Sequence, residues 1–307
     1  MSFPGYFKDH ILPDKLESIS LSFLVDQMVR QRGGTAPNIA YTLALLGEKP
    51  SLLATVGEDF AEYRKWLEYQ GIDTSLVKVI EGKYTASFFA NTDRSNAQIA
   101  SFYTGAMADA GVLSIRESLA CKPMLVVISP NDPGAMAKYA QECHELGIPY
   151  LFDPSQQVVR NDPKDLRFGV EHAQSLFVNE YEFELLQKHT GMSSDQILAC
   201  VDFMVVTCGE NGSMIFADGE QYQISTVQPT EILDPTGVGD AFRGGFLRGW
   251  QLGLDWEICG QMGALAATYC LEQRGTQNHS YSIDEYISRF REHFNDQGKL
   301  DVLLKNN

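Results

Sequence analysis

The run Leu233–Phe246 reads LDPTGVGDAFRGGF. Gly237 and Gly239 let the backbone turn so that several N–H groups point at one spot. Apolar spacing predicts a helix from about Gly239 to Leu252, and the positive end of its dipole falls on the same spot. A loop and helix start of this kind can hold a transferring phosphoryl group or the charge it develops. Asp240 lies at that point and has two readings. Aspartate fills a helix N-cap well. Alternatively, its carboxylate faces the anion and takes a proton from an attacking hydroxyl. On these residues alone the cap is the simpler reading. Two other loop patterns are excluded. The dinucleotide fingerprint needs glycine at 242, where Phe242 stands, and no lysine follows a suitable glycine for a Walker loop.

Outward from this run, strands and helices alternate through the second half of the chain. Met124–Ser129, Tyr150–Asp153, Ser175–Val178 and Phe203–Thr207 are short apolar runs that read as buried strands. Helices are expected at Gly134–Leu146 with Gly147 as its C-cap, at about Glu180–His189, and from Trp256 to Glu272. Strands separated by helices predict an α/β protein with a mostly parallel sheet covered on both faces. The first third differs. Thr85–Asn91 and Ala97–Tyr103 flank the polar turn Thr92–Asn96 and read as a hairpin, part of a small lid. The tail Asp301–Asn307 is expected to fray.

The 307 residues suit one large domain, 44% hydrophobic and 21% charged. A net charge of -16 repels polyanions, so neither nucleic acid nor an anionic membrane is an expected partner. No run approaches the ~20 apolar residues of a membrane span, and MSFPGYFKDH has no signal-peptide pattern. Six scattered cysteines without C-x-x-C pairs read as reduced thiols of a cytoplasmic protein.

DPTGVGDAFRGGF resembles the C-terminal signature of the PfkB, or ribokinase-like, family of carbohydrate and nucleoside kinases. Arg32–Gly47, RGGTAPNIAYTLALLG, is similar to the family's N-terminal signature, and the two stand in the family's order. The resemblance implies a three-layer α/β/α domain over 1–307 with a small β lid. The lid would come from about 1–30 and 79–105, and the nucleotide and catalytic half from about 120–295. It implies ATP-dependent phosphorylation of an alcohol, with Asp240 as base and Gly237, Val238 and Gly239 as anion hole. Gly33 and Gly34 would pack near a ribose and Asn38 would bond its hydroxyls. Read without the resemblance, these three are a turn and a core helix, Asn38–Leu46.

Asn179 and Glu182 match an N-x-x-E motif that organises Mg²⁺, mostly through water. Their plain reading is a helix cap and a favourable first-turn charge. Thr207, Gly209 and Gly212 match a T-x-G-x-x-G segment that lies under the nucleotide, and Asn211-Gly212 also reads as a hairpin turn into Ser213–Ala217. Arg243, one turn into the phosphate-loop helix, could screen phosphate charge, and Arg64, Arg94 and Arg274 are other candidates, but surface arginines are usually solvated and all four are left out of the site. A monovalent cation is a further expectation from the family, and a homodimer another, since some relatives pair through their lids.

FPGYFKDH, SFYTGAM and RGTQNHSY resemble a bacterial adenosine kinase-like branch. That points to the 5′-hydroxyl of adenosine or a related nucleoside, with a ribose or fructose kinase as the alternative. Phe7, Phe23, Phe102 and Tyr103 are either base-stacking residues or lid core. One departure stands out. The family opens with a strand carrying glycine and then an aspartate that grips substrate hydroxyls. None precedes Met1-Ser2-Phe3-Pro4-Gly5, and Asp9, Asp14 and Asp26 do not match the spacing. A protein that binds a ligand on this fold without turnover is therefore the reading of another class.

Overall fold

The computed structural model describes residues 1–11, 17, 20–95 and 97–305. Its strands are β1 (Ala54–Val56), β2 (Val77–Val79), β3 (Ser87–Thr92), β4 (Gln98–Tyr103), β5 (Val126–Ile128), β6 (Tyr150–Phe152), β7 (Ser175–Asn179), β8 (Phe203–Thr207), β9 (Ser213–Ala217) and β10 (Glu220–Ile224). Its helices are α1 (Thr35–Leu45), α2 (Ala61–Tyr69), α3 (Ile115–Ser118), α4 (Pro133–Leu146), α5 (Pro163–Glu171), α6 (Glu180–Thr190), α7 (Ser194–Leu198), α8 (Val238–Gln251), α9 (Trp256–Leu271) and α10 (Ile283–His293).

The central sheet has the order β10-β9-β8-β7-β6-β5. Strands β5 to β8 pair in parallel, while β9 and β10 are antiparallel. Side chains alternate across a strand, and here both sets are apolar. Tyr150, Phe152, Leu176, Val178, Met204 and Val206 pack on one face with residues of α4, α5, α6 and α7. Leu151, Phe177, Phe203 and Val205 pack on the other with Ile39 of α1, Phe242 and Phe246 of α8 and Ala264 of α9. That alternation makes three layers, as the strand and helix pattern predicts. It also brings α1 and α8 side by side, although they lie far apart in the chain. Their close approach needs a glycine: a Cβ on Gly244 would sit 2.6 Å from Cβ of Thr42.

The hairpin β3–β4 forms as expected, slightly shifted, with Phe88 opposite Phe102. It is a separate two-stranded sheet. Beside it, Phe3 stacks on Phe7 and both meet Phe23 edge to face, at ring distances of 4.9 to 5.5 Å. The N-terminus runs along the hairpin, where the N–H of Phe3 donates to the Thr92 carbonyl at 2.8 Å. Strands β1 and β2 make another small parallel sheet. They escape sequence reading because three residues are too few to display a period. Strand β5 is the last of the central sheet, and β1 pairs only with β2 among the described residues. Asp14 lies outside the described residues.

The tail corrects one expectation. Lys299–Lys305 is a 3₁₀ turn that buries Leu300 and Leu303 completely, so apolar burial orders the part of the tail up to Lys305, while Asn306 and Asn307 lie outside the described residues. Among the described residues no helix is long and apolar enough to cross a membrane.

Candidate active site

Helix α8 starts at Val238, one residue before the expected point, and its N-cap is Gly237 at φ 79°. Only a residue without Cβ adopts that left-handed turn readily. It places Asp240 on the first turn, where its side chain does not cap the helix. Instead, Asp240 Oδ2 accepts a hydrogen bond from Asn38 Nδ2 at 2.8 Å. The two signature segments thus meet through these two side chains.

The orientation of Asn38 is fixed from behind. Its Oδ1 accepts from Thr276 Oγ1 at 2.8 Å and from Gln277 Nε2 at 2.7 Å. Two donors on that oxygen turn the amide nitrogen towards Asp240. Gln277 also donates to the Tyr63 hydroxyl at 2.7 Å, and Tyr63 reaches the Gly33 carbonyl at 3.1 Å. Gly34, at φ 102°, is the N-cap of α1, which begins three residues earlier than expected. Thr276 and Gln277 are functional candidates that sequence reasoning missed. They sit in RGTQNHSY, but nothing local marks them as neighbours of Asn38.

Gly33, Gly34, Asn38, Gly237, Gly239 and Asp240 line one open cleft of about 3610 Å³. The same cleft is lined by both faces of the hairpin, by Phe88, Ala90, Thr92, Gln98 and Phe102 on one and by Ser87, Phe89 and Tyr103 on the other. Phe88 and Phe102 are 63% and 53% exposed there, whereas Phe7 is buried in the cluster beside the hairpin. The alternatives for the aromatic residues therefore divide: Phe7 is core, and Phe102 faces the cleft, as does Tyr103.

Asn179 and Glu182 do not line that cleft. They form a capping box at the start of α6: Glu182 N–H donates to Asn179 Oδ1 at 2.8 Å and Asn179 N–H to Glu182 Oε2 at 2.9 Å. Ser155 Oγ donates to Glu182 Oε1 at 3.0 Å. Each carboxylate oxygen keeps a lone pair, which suits an ion held through water rather than a dedicated cage. Among the described residues no group of three acidic or His/Cys side chains converges on a metal position. Thr207 pairs in register with Asn179 at the carboxyl ends of β8 and β7. Gly209 and Gly212 turn the chain from β8 into β9 at φ 56° and 88°, so the hairpin into Ser213–Ala217 forms, but through the five residues 208–212 rather than through Asn211-Gly212 alone.

Arg243 corrects the sequence reading most clearly. It is 8% exposed, not solvated. Its Nη2 donates to Asp153 Oδ1 at 2.8 Å and its Nε lies 2.7 Å from Asp153 Oδ2, a buried ion pair beyond the end of β6. Asp153 is fully buried. Burial raises the Asp153 acid, and the Arg243 guanidinium opposes that rise. Asp240 is likewise raised by burial, with Arg243 and the Asn38 hydrogen bond pulling it down.

A mostly parallel sheet covered on both faces, with a glycine turn opening a helix and a carboxylate on its first turn, defines a ribokinase-type phosphotransferase. The chain belongs to the PfkB family of carbohydrate kinases, which it matches over residues 9–283. It is 34% identical to Burkholderia thailandensis nucleoside kinase in complex with inosine. That likeness covers 96% of this chain and 94% of the other at a TM-score of 0.85. The same kinase with ADP-inosine superposes at 0.83 with 36% identity, covering 96% and 92% of the two chains. A nucleoside kinase of Methanocaldococcus jannaschii is 30% identical over 91% of this chain and 92% of its own.

Proposed function

We propose that the protein is an ATP-dependent nucleoside kinase that phosphorylates the 5′-hydroxyl of a ribonucleoside. The observation that carries this reading is the hydrogen bond between Asn38 and Asp240 at the glycine turn. A residue suited to ribose hydroxyls and a residue suited to accept a hydroxyl proton are held side by side. The nucleoside kinase relatives, one of them bound to inosine, support the choice of acceptor.

The base of the nucleoside lies against the Phe88 and Phe102 face, which offers an aromatic surface that stacks on any base. The ribose lies at Gly33 and Gly34, where the absence of side chains leaves room. Asp240 accepts the proton of the 5′-hydroxyl as its oxygen forms a bond to the γ-phosphorus of ATP. The bond to the β-phosphate bridging oxygen breaks, and ADP leaves. The N–H groups of Gly237, Val238 and Gly239 oppose the charge that develops during transfer. Thr207, Gly209 and Gly212 support the nucleotide. Asn179 and Glu182 would hold Mg²⁺ through water, and the ion would supply neutralisation of phosphate charge. Movement of the hairpin over the cleft excludes water as a competing acceptor.

The test is a panel of adenosine, inosine, cytidine, ribose and fructose with Mg-ATP, read by ADP release. At least one nucleoside is expected to exceed both sugars by about tenfold or more in kcat/KM, since only a nucleoside covers the aromatic face. A sugar at the head of the panel would make the protein a sugar kinase. Binding without ADP from any acceptor would make it a ligand-binding protein.

The support behind Asn38 carries a second expectation. Gln277 is 2% exposed, and Gln277→Leu removes one of the two donors on buried Asn38 Oδ1 and the donor to the half-buried Tyr63 hydroxyl. Asn38 Oδ1 keeps the Thr276 donor, so the cost is that of a net hydrogen bond, about 0.5–1.5 kcal/mol. Nucleoside kcat/KM should fall by about two- to tenfold at unchanged KM for ATP. Steady-state kinetics with each substrate varied in turn would check this, and unaltered nucleoside kinetics would remove Gln277 from the site.

A further inference from the structure

We propose that Arg243, locked in place by Asp153, is a positioning residue that keeps the Asp240 carboxylate charged and fixed at the glycine turn. The inference rests on the reading of Asp240 as the base and adds the group that makes it one.

Arg243 lies three residues after Asp240, so the two share a face of α8. Its guanidinium does not reach solvent but turns back beneath the glycine turn. A Cβ built on Gly239 would lie 2.9 Å from Arg243 Nη1. The edge formed by Nε and Nη2 faces Asp153, at 2.7 and 2.8 Å. This leaves Nη1 on the side of the turn. A planar group paired along that edge cannot swing away as a lysine could.

The electrostatic surroundings make that position consequential. On α8 itself the only charged neighbour of Asp240 is Arg243. From the end of β6 comes Asp153 and from α9 the thiol of Cys270, while Glu182 of α6 acts on Arg243 and Asp153. Helix α1 and the Thr276–Gln277 segment contribute the neutral groups Asn38, Thr276 and Gln277. One guanidinium therefore sits among three carboxylates. Burial favours the neutral acid of Asp240, and a neutral acid cannot accept the hydroxyl proton. Among the groups around it, Arg243 is the strongest influence in the other direction.

A staple between α8 and β6 would account for the salt bridge alone. Buried pairs of this kind can, however, be replaced by apolar residues of similar volume with little loss of stability. A purely structural pair would then leave the pH profile in place, and that difference supplies the test.

The experiment uses the full chain with Mg-ATP and the best nucleoside of the panel. Arg243→Met combined with Asp153→Leu removes both charges. Loss of Arg243 raises the Asp240 acid and loss of Asp153 lowers it, so the folded double variant is expected to shift the acid limb of kcat/KM upward by the difference, about half a pH unit or more, because the guanidinium lies between Asp153 and the turn. Its nucleoside KM should stay within about threefold and its kcat at neutral pH should fall. Arg243→Lys, which keeps the charge but not the fork, should move the limb less than the neutral pair does. If the apolar pair does not fold, Arg243→Gln with Asp153→Asn serves as the neutral pair with the same expectation. A folded neutral pair whose acid limb coincides with the wild type overturns the proposal. Asp240→Asn run in parallel separates the two readings. If that variant is inactive and the limb does not move, only the role of Arg243 is lost. If it stays active, the base has been misassigned and both readings fall.

Discussion

Asp240→Asn should lower turnover by about 10³-fold while ATP affinity stays within about twofold. The amide keeps the shape of the side chain and an oxygen that can still accept from Asn38 Nδ2. What it loses is the capacity to take a proton, and a positioned general base contributes about 10²–10⁴ in rate. The pH dependence follows in sign. Burial raises the acid of Asp240, while Arg243 and the Asn38 hydrogen bond counter it. The base works only when deprotonated, so activity is present above its pKa and declines as pH drops through it. That decline should begin above the pH at which an ordinary solvent-exposed aspartate protonates, and the Asn variant should lack it. Single-turnover rates across pH, with calorimetric titration of a non-hydrolysable ATP analogue, would measure both parts. Turnover near wild type would place the base elsewhere.

Gly237→Ala should cost about 10²-fold in kcat and lower the thermal midpoint as well. Two independent causes act at this position. The backbone is at φ 79°, where a residue with Cβ pays about 1–2 kcal/mol. The new methyl would also stand 2.7 Å from Thr276 Cγ2 and 2.8 Å from Thr276 Cβ. Neither atom is the free end of a flexible side chain, so the turn itself must shift. A displaced turn moves its N–H groups off the developing charge, and the loss of one such donor costs about 10²–10³. It also pushes on the residue that orients Asn38. Comparison of kcat, nucleoside KM and melting temperature would separate the two effects. A variant that melts lower but turns over normally would exclude these N–H groups from the anion hole.

Much of the frame was legible because its causes are local. Buried strands such as Phe203–Thr207 are short apolar runs bounded by polar turns, and period-two alternation then divides them between two helical layers. Gly147 ends its helix in a left-handed turn that its neighbours alone require. The small strands β1 and β2 were not legible, since three residues carry no period. Arg243 was misjudged because arginine is usually solvated, and no local feature places a carboxylate against it. Thr276 and Gln277 were missed for the same reason.

By itself the sequence determined the glycine turn, the helix that follows it, the layered strands and the two signatures. Each depends on backbone freedom and residue type within a few positions. Whether Asp240 caps a helix or serves a site was decided only in three dimensions. Gly237 takes the cap, and a residue 202 positions away, Asn38, takes the carboxylate. Arg243 likewise meets its partner Asp153 at a separation of 90 residues. The pKa and orientation of a buried carboxylate depend on which charges and donors surround it in space, and only the packing of α1, α8 and the ends of β6 and β7 assembles those neighbours.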